Sequence, residues 1–304
     1  MSLILFRKIL RDIRWPFLGI GVLLIAFEML WAKITQRITV ELFPVFEQLG
    51  LQKEIIIEKV LGQGFGKFVQ SLIGGENIRL YEPNDLLTVG YVHPVVQTIF
   101  AIWALGRAAG ALAGEMERGT MELLLAQPIT RRAVVLTHLA VDAVTIPILC
   151  LCMILGSWLG INAVGFSDTD LAKIHLVNFW GGLVNSAALM FALTGVTMAF
   201  SAVGRSRWRV MAWVIAVVLV LFILNVLGQL WAALGPWRPL SLFYYYQPQP
   251  IILKNVWTVN FATTDPSAPW LTGVPAVPVL LAVAVVGYGV ALWVFCRRDL
   301  PAPL

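Results

Sequence analysis

Charge is scarce in this sequence. Only 13% of its 304 residues are Asp, Glu, Lys or Arg, against about 25% in an ordinary soluble domain. With 59% of the residues hydrophobic, there is too little polar surface to cover two soluble domains of this total length. The net charge of +5 does not indicate a nucleic-acid partner, because no basic cluster is interleaved with exposed aromatics. Histidine is equally sparse: His93, His138 and His175 fall in separate segments. No H-E-x-x-H or G-x-S-x-G motif occurs, which removes the usual membrane hydrolases. There is no G-x-x-x-x-G-K-S/T phosphate loop, so the chain has no recognisable ATP site of its own. Cys150, Cys152 and Cys296 lie in apolar runs at spacings that fit neither a metal site nor a disulfide framework, and they read as core thiols.

Long apolar runs are abundant instead. Six are long enough to cross a bilayer as helices, at about 15–33, 86–106, 134–159, 178–203, 210–234 and 272–295. Helix is the expected form because an isolated strand leaves its backbone unsatisfied in lipid. The fold class expected is therefore an all-α polytopic membrane protein with six transmembrane helices in a single domain over 1–304. The second run is the least regular, since it opens near Asp85 and contains His93 and Pro94. Pro147 is expected to bend the third. The first run follows Arg7, Lys8, Arg11 and Arg14 and has no small-x-small cleavage site after it, so it reads as a signal anchor.

Arginine and lysine set the direction. Besides the N-terminal group, basic residues collect at Arg107, Arg118, Arg131 and Arg132, at Arg205, Arg207 and Arg209, and at Arg297 and Arg298. Two of the alternate connections are poorer: 160–177 has only Lys173, and 235–271 only Arg238 and Lys254; 34–85 holds more basic residues, but seven acids lie beside them and its length makes it weigh less. The positive-inside rule then places both termini in the cytoplasm. Segment 34–85 becomes extracytoplasmic. It mixes apolar and charged residues at roughly helical spacing, which suits one or two interfacial helices or a plain cap. Segment 235–271, rich in Pro, Tyr and Trp, is expected to lie along the outer surface or partly re-enter it.

One stretch breaks the rule of scarce charge. Residues 114–132, GEMERGTMELLLAQPITRR, hold three acids and three arginines. Upstream, Gly106, Gly110 and Gly114 recur every four residues and predict close helix packing, on a helix that projects beyond the membrane. Gly119 can break that helix, Thr120 can cap a new one, and Pro128 and Thr130 can end it. Met121, Leu124 and Leu125 give the new helix an apolar face, with acids around it. Such a helix in the cytoplasmic segment 107–133 could lie on lipid or dock into a protein groove. Acids are disfavoured beside anionic headgroups.

The run GALAGEMERGTMELLLAQPITR, from Gly110 to Arg131, resembles the signature of ABC-2 type transporter permeases. PLSLFYYYQP at 239–248 is similar to the family's segment before its last span, and VFCRRDL at 294–300 to its C-terminal ending. The resemblance implies a permease subunit of an ATP-binding cassette transporter, more often an exporter, in a bacterial plasma (inner) membrane. It implies that the short helix between spans two and three is a coupling helix. Glu115, Glu117, Arg118, Gly119, Thr120, Glu122, Leu124 and Leu125 would then contact a separate ABC ATPase subunit. Two ATPases would serve two permeases, the second being another copy or a related chain. ATP and Mg would be bound by the ATPase, and no cofactor by this chain. The substrate is not implied.

Polar residues within the runs are functional candidates by default. They are Glu28, His93, His138, Asp142, Asn185, Asn225 and Gln229. His138 and Asp142, four apart, could pair with each other, Glu28 could reach the interface, and Asn225 and Gln229 could join helices. Two other functions compete: a non-transporting anchor that regulates an ABC-type ATPase, and a channel, which leaves the charged stretch unexplained.

Overall fold

The computed structural model describes residues 3–42, 82–166, 171–262 and 269–298. Most of the expected interfacial segment 34–85, namely 43–81, lies outside the described residues, as do 263–268 of the last long connection and the end of the VFCRRDL run. Ten α-helices lie among the described residues: α1 (Leu3–Gln36), α2 (Pro83–Val92), α3 (Pro94–Ala111), α4 (Ala113–Glu117), α5 (Thr120–Leu125), α6 (Arg131–Val164), α7 (Phe179–Val203), α8 (Arg207–Leu230), α9 (Pro248–Lys254) and α10 (Ala276–Arg297). Six helical segments are long and apolar enough to cross a membrane. The protein is a polytopic helical membrane protein.

The spans differ from their expected limits in instructive ways. α1 begins at Leu3 rather than near residue 15, so Arg7, Lys8, Arg11 and Arg14 all ride on the helix. Its first turns are held by packing: Leu5 and Ile9 are buried in one cluster with Leu112, Met121 and Phe295. The start of α1, the ends of α3, α7 and α10 and the starts of α6 and α8 therefore meet at one end of the bundle, here called the basic end. The second span is broken. Pro94 has no N–H to donate and disfavours helical geometry at His93, which is extended (φ −60°, ψ 137°). His93 turns the break to use, its Nδ1 accepting from Val95 N at 3.2 Å. By contrast, α6 runs as one helix through Pro147.

α7 is the central helix. Its span is 67% buried, against 22% for α1 and 17% for α8, so α1 and α8 show most of their length outward. The closest crossings use glycines outside the expected stripe. A Cβ on Gly287 of α10 would sit 2.3 Å from the Gly195 carbonyl carbon of α7. On α6, a Cβ on Gly160 would sit 2.9 Å from the Met29 Cα of α1. Lipid offers helices no hydrophobic drive to associate, so backbone contact of this kind is how they gain dispersion energy.

The connection after α8 is more ordered than an aromatic loop. 3₁₀ turns at Ala232–Leu240 and Leu242–Tyr245 lead into α9. An antiparallel hairpin of β1 (Thr258–Ala262) and β2 (Pro269–Pro275) follows, an element outside the expected all-helical pattern. Tyr244, Tyr245 and Tyr246 are buried, so this segment packs into the bundle.

Candidate functional site

The charged stretch folds as two short helices at the basic end. Ser201 of α7 makes the bend between α3 and α4 possible. Its Oγ accepts from Leu112 N (3.2 Å) and Ala113 N (3.0 Å), groups that no longer have partners within one continuous helix, and donates to Ala109 O (3.2 Å). Gly119 then takes the left-handed conformation (φ 69°), which a residue with a Cβ adopts only at a cost. Gly119, not Thr120, is the N-cap position of α5. The Thr120 hydroxyl bonds back to the Glu115 carboxylate instead. Thr130 starts the next helix rather than ending α5, its Oγ1 accepting from Ala133 N at 3.2 Å.

The acids of this stretch are largely engaged. Glu115 also pairs with Arg118 at 2.6 Å. Glu117 accepts from Ser206 Oγ at 3.0 Å and from Arg207 N at 2.8 Å. It thus caps the start of α8, where an anionic acceptor is favoured. Only Glu122 among the three projects outward without a bond in the described residues. The apolar face is also rotated from expectation. Met121 is buried, and Leu124 and Leu125 lean on the same cluster. Leu123 is the leucine turned outward, 71% exposed. A helix of six residues is too short for its phase to be read from sequence.

Beneath this platform lies a buried ion pair. Arg107 of α3 was expected in the connection beyond the second span. It is instead inside the helix, with its side chain 5% exposed, paired to Asp142 of α6, which is fully buried. Arg107 also donates to His138 O at 2.9 Å and lies 3.2 Å from His138 Nδ1. The Tyr288 hydroxyl of α10 completes the carboxylate. His138 and Asp142 are therefore brought together, but through Arg107 rather than by pairing with each other. The cluster ties three spans directly below the short helices. Nearby, Arg298 donates to Ala202 O (2.8 Å) and Gly204 O (3.0 Å). Its pKa is lowered by burial and by Arg205 beside it.

The other polar candidates sit elsewhere. Glu28 does not reach the interface: it is 2% exposed, and its carboxylate accepts from Ser157 Oγ at 3.2 Å. Ser157 meets Tyr91 OH at 3.1 Å, and the Tyr246 hydroxyl donates to Tyr91 O. Burial pushes the Tyr246 phenol up, which keeps it a neutral donor. Asn185 clamps the tyrosine segment, donating to Tyr245 O (2.9 Å) and accepting from Gln247 N (2.7 Å). These residues fasten the tyrosine segment into the bundle. Asn225 accepts from Arg238 at 3.4 Å, and Gln229 has no partner for its buried Oε1. Glu28→Gln keeps the shape and an acceptor for Ser157, so thermal stability in detergent should change little. Glu28→Leu loses that acceptor and should lower it.

A cavity of about 1060 Å³ opens between α1, α3 and α8. Ile20, Trp103, Met211 and Phe222 line its apolar body, and Arg107, Arg118 and Arg207 its basic end. The glycine stripe belongs here. Gly110 and Gly114 do not receive a neighbouring backbone but the Arg207 side chain, at 3.7 and 3.8 Å from where their Cβ atoms would be, while a Cβ on Gly106 would meet nothing within 4 Å.

Six spans, a bent second span and two short helices at the basic end are the setting in which the sequence comparison is read. The profile of the ABC-2 family transporter proteins matches residues 6–300. The chain belongs to that family. Comparison with curated proteins and with solved structures found no match. The ABC-2 assignment makes the chain a membrane component of a transporter, and it covers every described span of the bundle.

Proposed function

We propose that this ABC-2 protein is the permease subunit of an ATP-driven exporter. In this reading α5 is the contact for a separate ABC ATPase, two of which serve two permeases in a bacterial plasma membrane. The observation that carries the coupling role is the outward presentation of Leu123 and Glu122 on a helix whose other side is fixed to the bundle. A leucine 71% exposed beside an unengaged acid suits an interface with an apolar centre and a charged rim. Glu115, Glu117, Arg118, Gly119 and Thr120 act behind it, holding α5 and joining it to the start of α8. Leu124 and Leu125 join α5 to the bundle. A push on α5 then reaches α3, α7 and α8 through Ser201, Glu117 and the Arg107 cluster. The two states that ATP must bias are two positions of this platform relative to the spans.

A photoreactive residue at position 123, in cells that make the protein natively, tests the contact. The expected cross-linked partner contains a G-x-x-x-x-G-K-S/T loop, identified by mass spectrometry, and the same probe at Lys173 captures no such protein. Leu123→Asp should abolish co-purification of that ATPase in detergent. Cross-links to lipid alone would reject the reading and leave α5 as a surface element. Orientation is checked separately in a cysteine-free background. Single cysteines at Thr130 and Arg205 should resist an impermeant thiol reagent in intact cells, and one at Asn255 should react. The reverse pattern would invert the topology.

A further inference from the structure

The geometry points to the cavity between α1, α3 and α8 as a binding site for an anionic, ester-linked amphiphile that enters sideways from the membrane. This rests on the permease reading only in making the amphiphile a transport substrate; the site itself is argued from the cavity.

Three features define the occupant. The first is the wall. Leu23 of α1, Ile102 of α3, and Ile215 and Leu219 of α8 line the cavity and are 47–57% exposed. The opening therefore faces sideways, midway along spans, toward hydrocarbon. An apolar body can enter there without leaving lipid.

The second feature is a spare cation. Of the three guanidinium groups that line the cavity, Arg107 is paired with Asp142 and Arg118 with Glu115. The Arg207 guanidinium forms no ion pair among the described residues, although the backbone N–H of Arg207 donates to Glu117 at 2.8 Å. Its side chain donates only to Gly106 O, at 3.2 Å, and its buried Nε has no partner. Gly110 of α3 and Gly114 of α4 give the side chain room to lie across these two helices. Asp12 is the one acid at the mouth without a bond in the described residues. It is exposed and flanked on α1 by Lys8, Arg11 and Arg14, so the mouth is net positive. A guanidinium with free donors at headgroup depth recognises a phosphate or carboxylate well.

The third feature is an independent orphan donor. Trp103 lines the cavity and is 4% exposed, yet its indole N–H has no acceptor. A buried donor left unpaired is costly, and in lipid no water relieves it. Trp103 lies one turn deeper than Arg107, about 6 Å along the helix. That separation matches an ester carbonyl placed below an anionic headgroup. The site thus lacks an anion at its rim, an acceptor one turn in, and an apolar tail beyond.

Native mass spectrometry of the full chain, titrated with lipids of identical acyl chains, tests this without any ATPase. The first lipid bound should favour phosphatidylglycerol over phosphatidylcholine by about tenfold, the scale of one charge-assisted contact. Arg207→Gln should remove that preference, while Arg209→Gln, an exposed arginine on the same turn, should keep it. Diester phosphatidylglycerol should bind more tightly than its diether analogue, and Trp103→Phe should erase that difference. Gly106→Leu, where a Cβ meets nothing, should project into and narrow the cavity and lower binding of both lipids in a chain that still elutes as one species. Inorganic phosphate should not compete, which separates a lipid site from a simple anion site. Equal binding of the two headgroups, or an equal loss in Arg207→Gln and Arg209→Gln, would overturn the proposal. So would efficient disulfide cross-linking between two copies through cysteines at Leu219, because a second copy would then cover the opening. Because ATPase pairing is read on the complex and lipid binding on the chain alone, either reading can fail while the other stands.

Discussion

Asp142→Ala is expected to be among the most destabilising single changes in the bundle. Asp142 is fully buried and Arg107 nearly so. Removing the carboxylate leaves a guanidinium inside the protein with only His138 to receive it. Breaking one side of a buried pair costs about 3–5 kcal/mol, because the remaining charge is desolvated and uncompensated. Tyr288 loses its acceptor as well, which adds to the cost. Replacing both partners is a different experiment. Arg107→Met combined with Asp142→Leu removes the charge along with its counter-charge, and should cost markedly less than Asp142→Ala alone. Unfolding of the purified protein in mixed micelles, followed by size exclusion after graded denaturation, reads both. If Asp142→Ala unfolds within about 1 kcal/mol of the unmodified chain, the pair contributes little and cannot be what joins α3, α6 and α10. In the coupling reading, the double variant should be stable but less well coupled to ATP turnover, since the three spans would no longer be held in one arrangement.

The sequence made some of this visible and concealed the rest for physical reasons. The number of spans was readable because a bilayer demands length and apolarity, which local composition reports. The short helix in the charged stretch was readable too, since Gly119 and the turn at Pro128–Thr130 mark its boundaries. Its outward face was not: over six residues, Leu123, Leu124 and Leu125 are equivalent until tertiary packing on Met121 and Phe295 chooses among them. Arg107 reads as a connection residue in the sequence because charge usually marks the end of a span. Only the placement of Asp142 and Tyr288 on two other helices makes its burial affordable. The glycines pose the same problem. The regular spacing of Gly106, Gly110 and Gly114 suggested a helix crossing, whereas that surface holds an arginine and borders a cavity. The true crossings at Gly160 and Gly287 depend on partners far away in sequence. Likewise Asn185 gave no sign that it would hold the tyrosine segment, whose carbonyl and N–H it binds from another span.

Gly287→Leu is the second large effect expected, and an internal control accompanies it. A Cβ at position 287 would lie 2.3 Å from the Gly195 carbonyl carbon and 2.4 Å from its oxygen. Those atoms are backbone and cannot swing aside as the end of a side chain can. Gly195 is similarly closed, with its own Cβ position 2.7 Å from Ala284 O. Any side chain at 287 must therefore separate α7 from α10. Even Gly287→Ala should cost about 1–3 kcal/mol, the usual scale for overpacking, and leucine should exceed it. The damage should not stay local. Tyr288, the next residue, bonds to Asp142, and α7 carries Ser201 at the bend between α3 and α4. Displacing α10 would thus disturb the buried ion pair and the platform above it together. Membrane insertion itself should survive, because leucine makes the span more apolar. Gly289 lies on the same helix, and a Cβ there meets nothing within 4 Å. Gly289→Leu should therefore express, purify as one species and unfold near the unmodified protein, whereas Gly287→Leu should reach the membrane but elute as aggregate. If the two variants behave alike, helix composition rather than the crossing controls stability, and the close approach of α7 to α10 is not what organises the bundle.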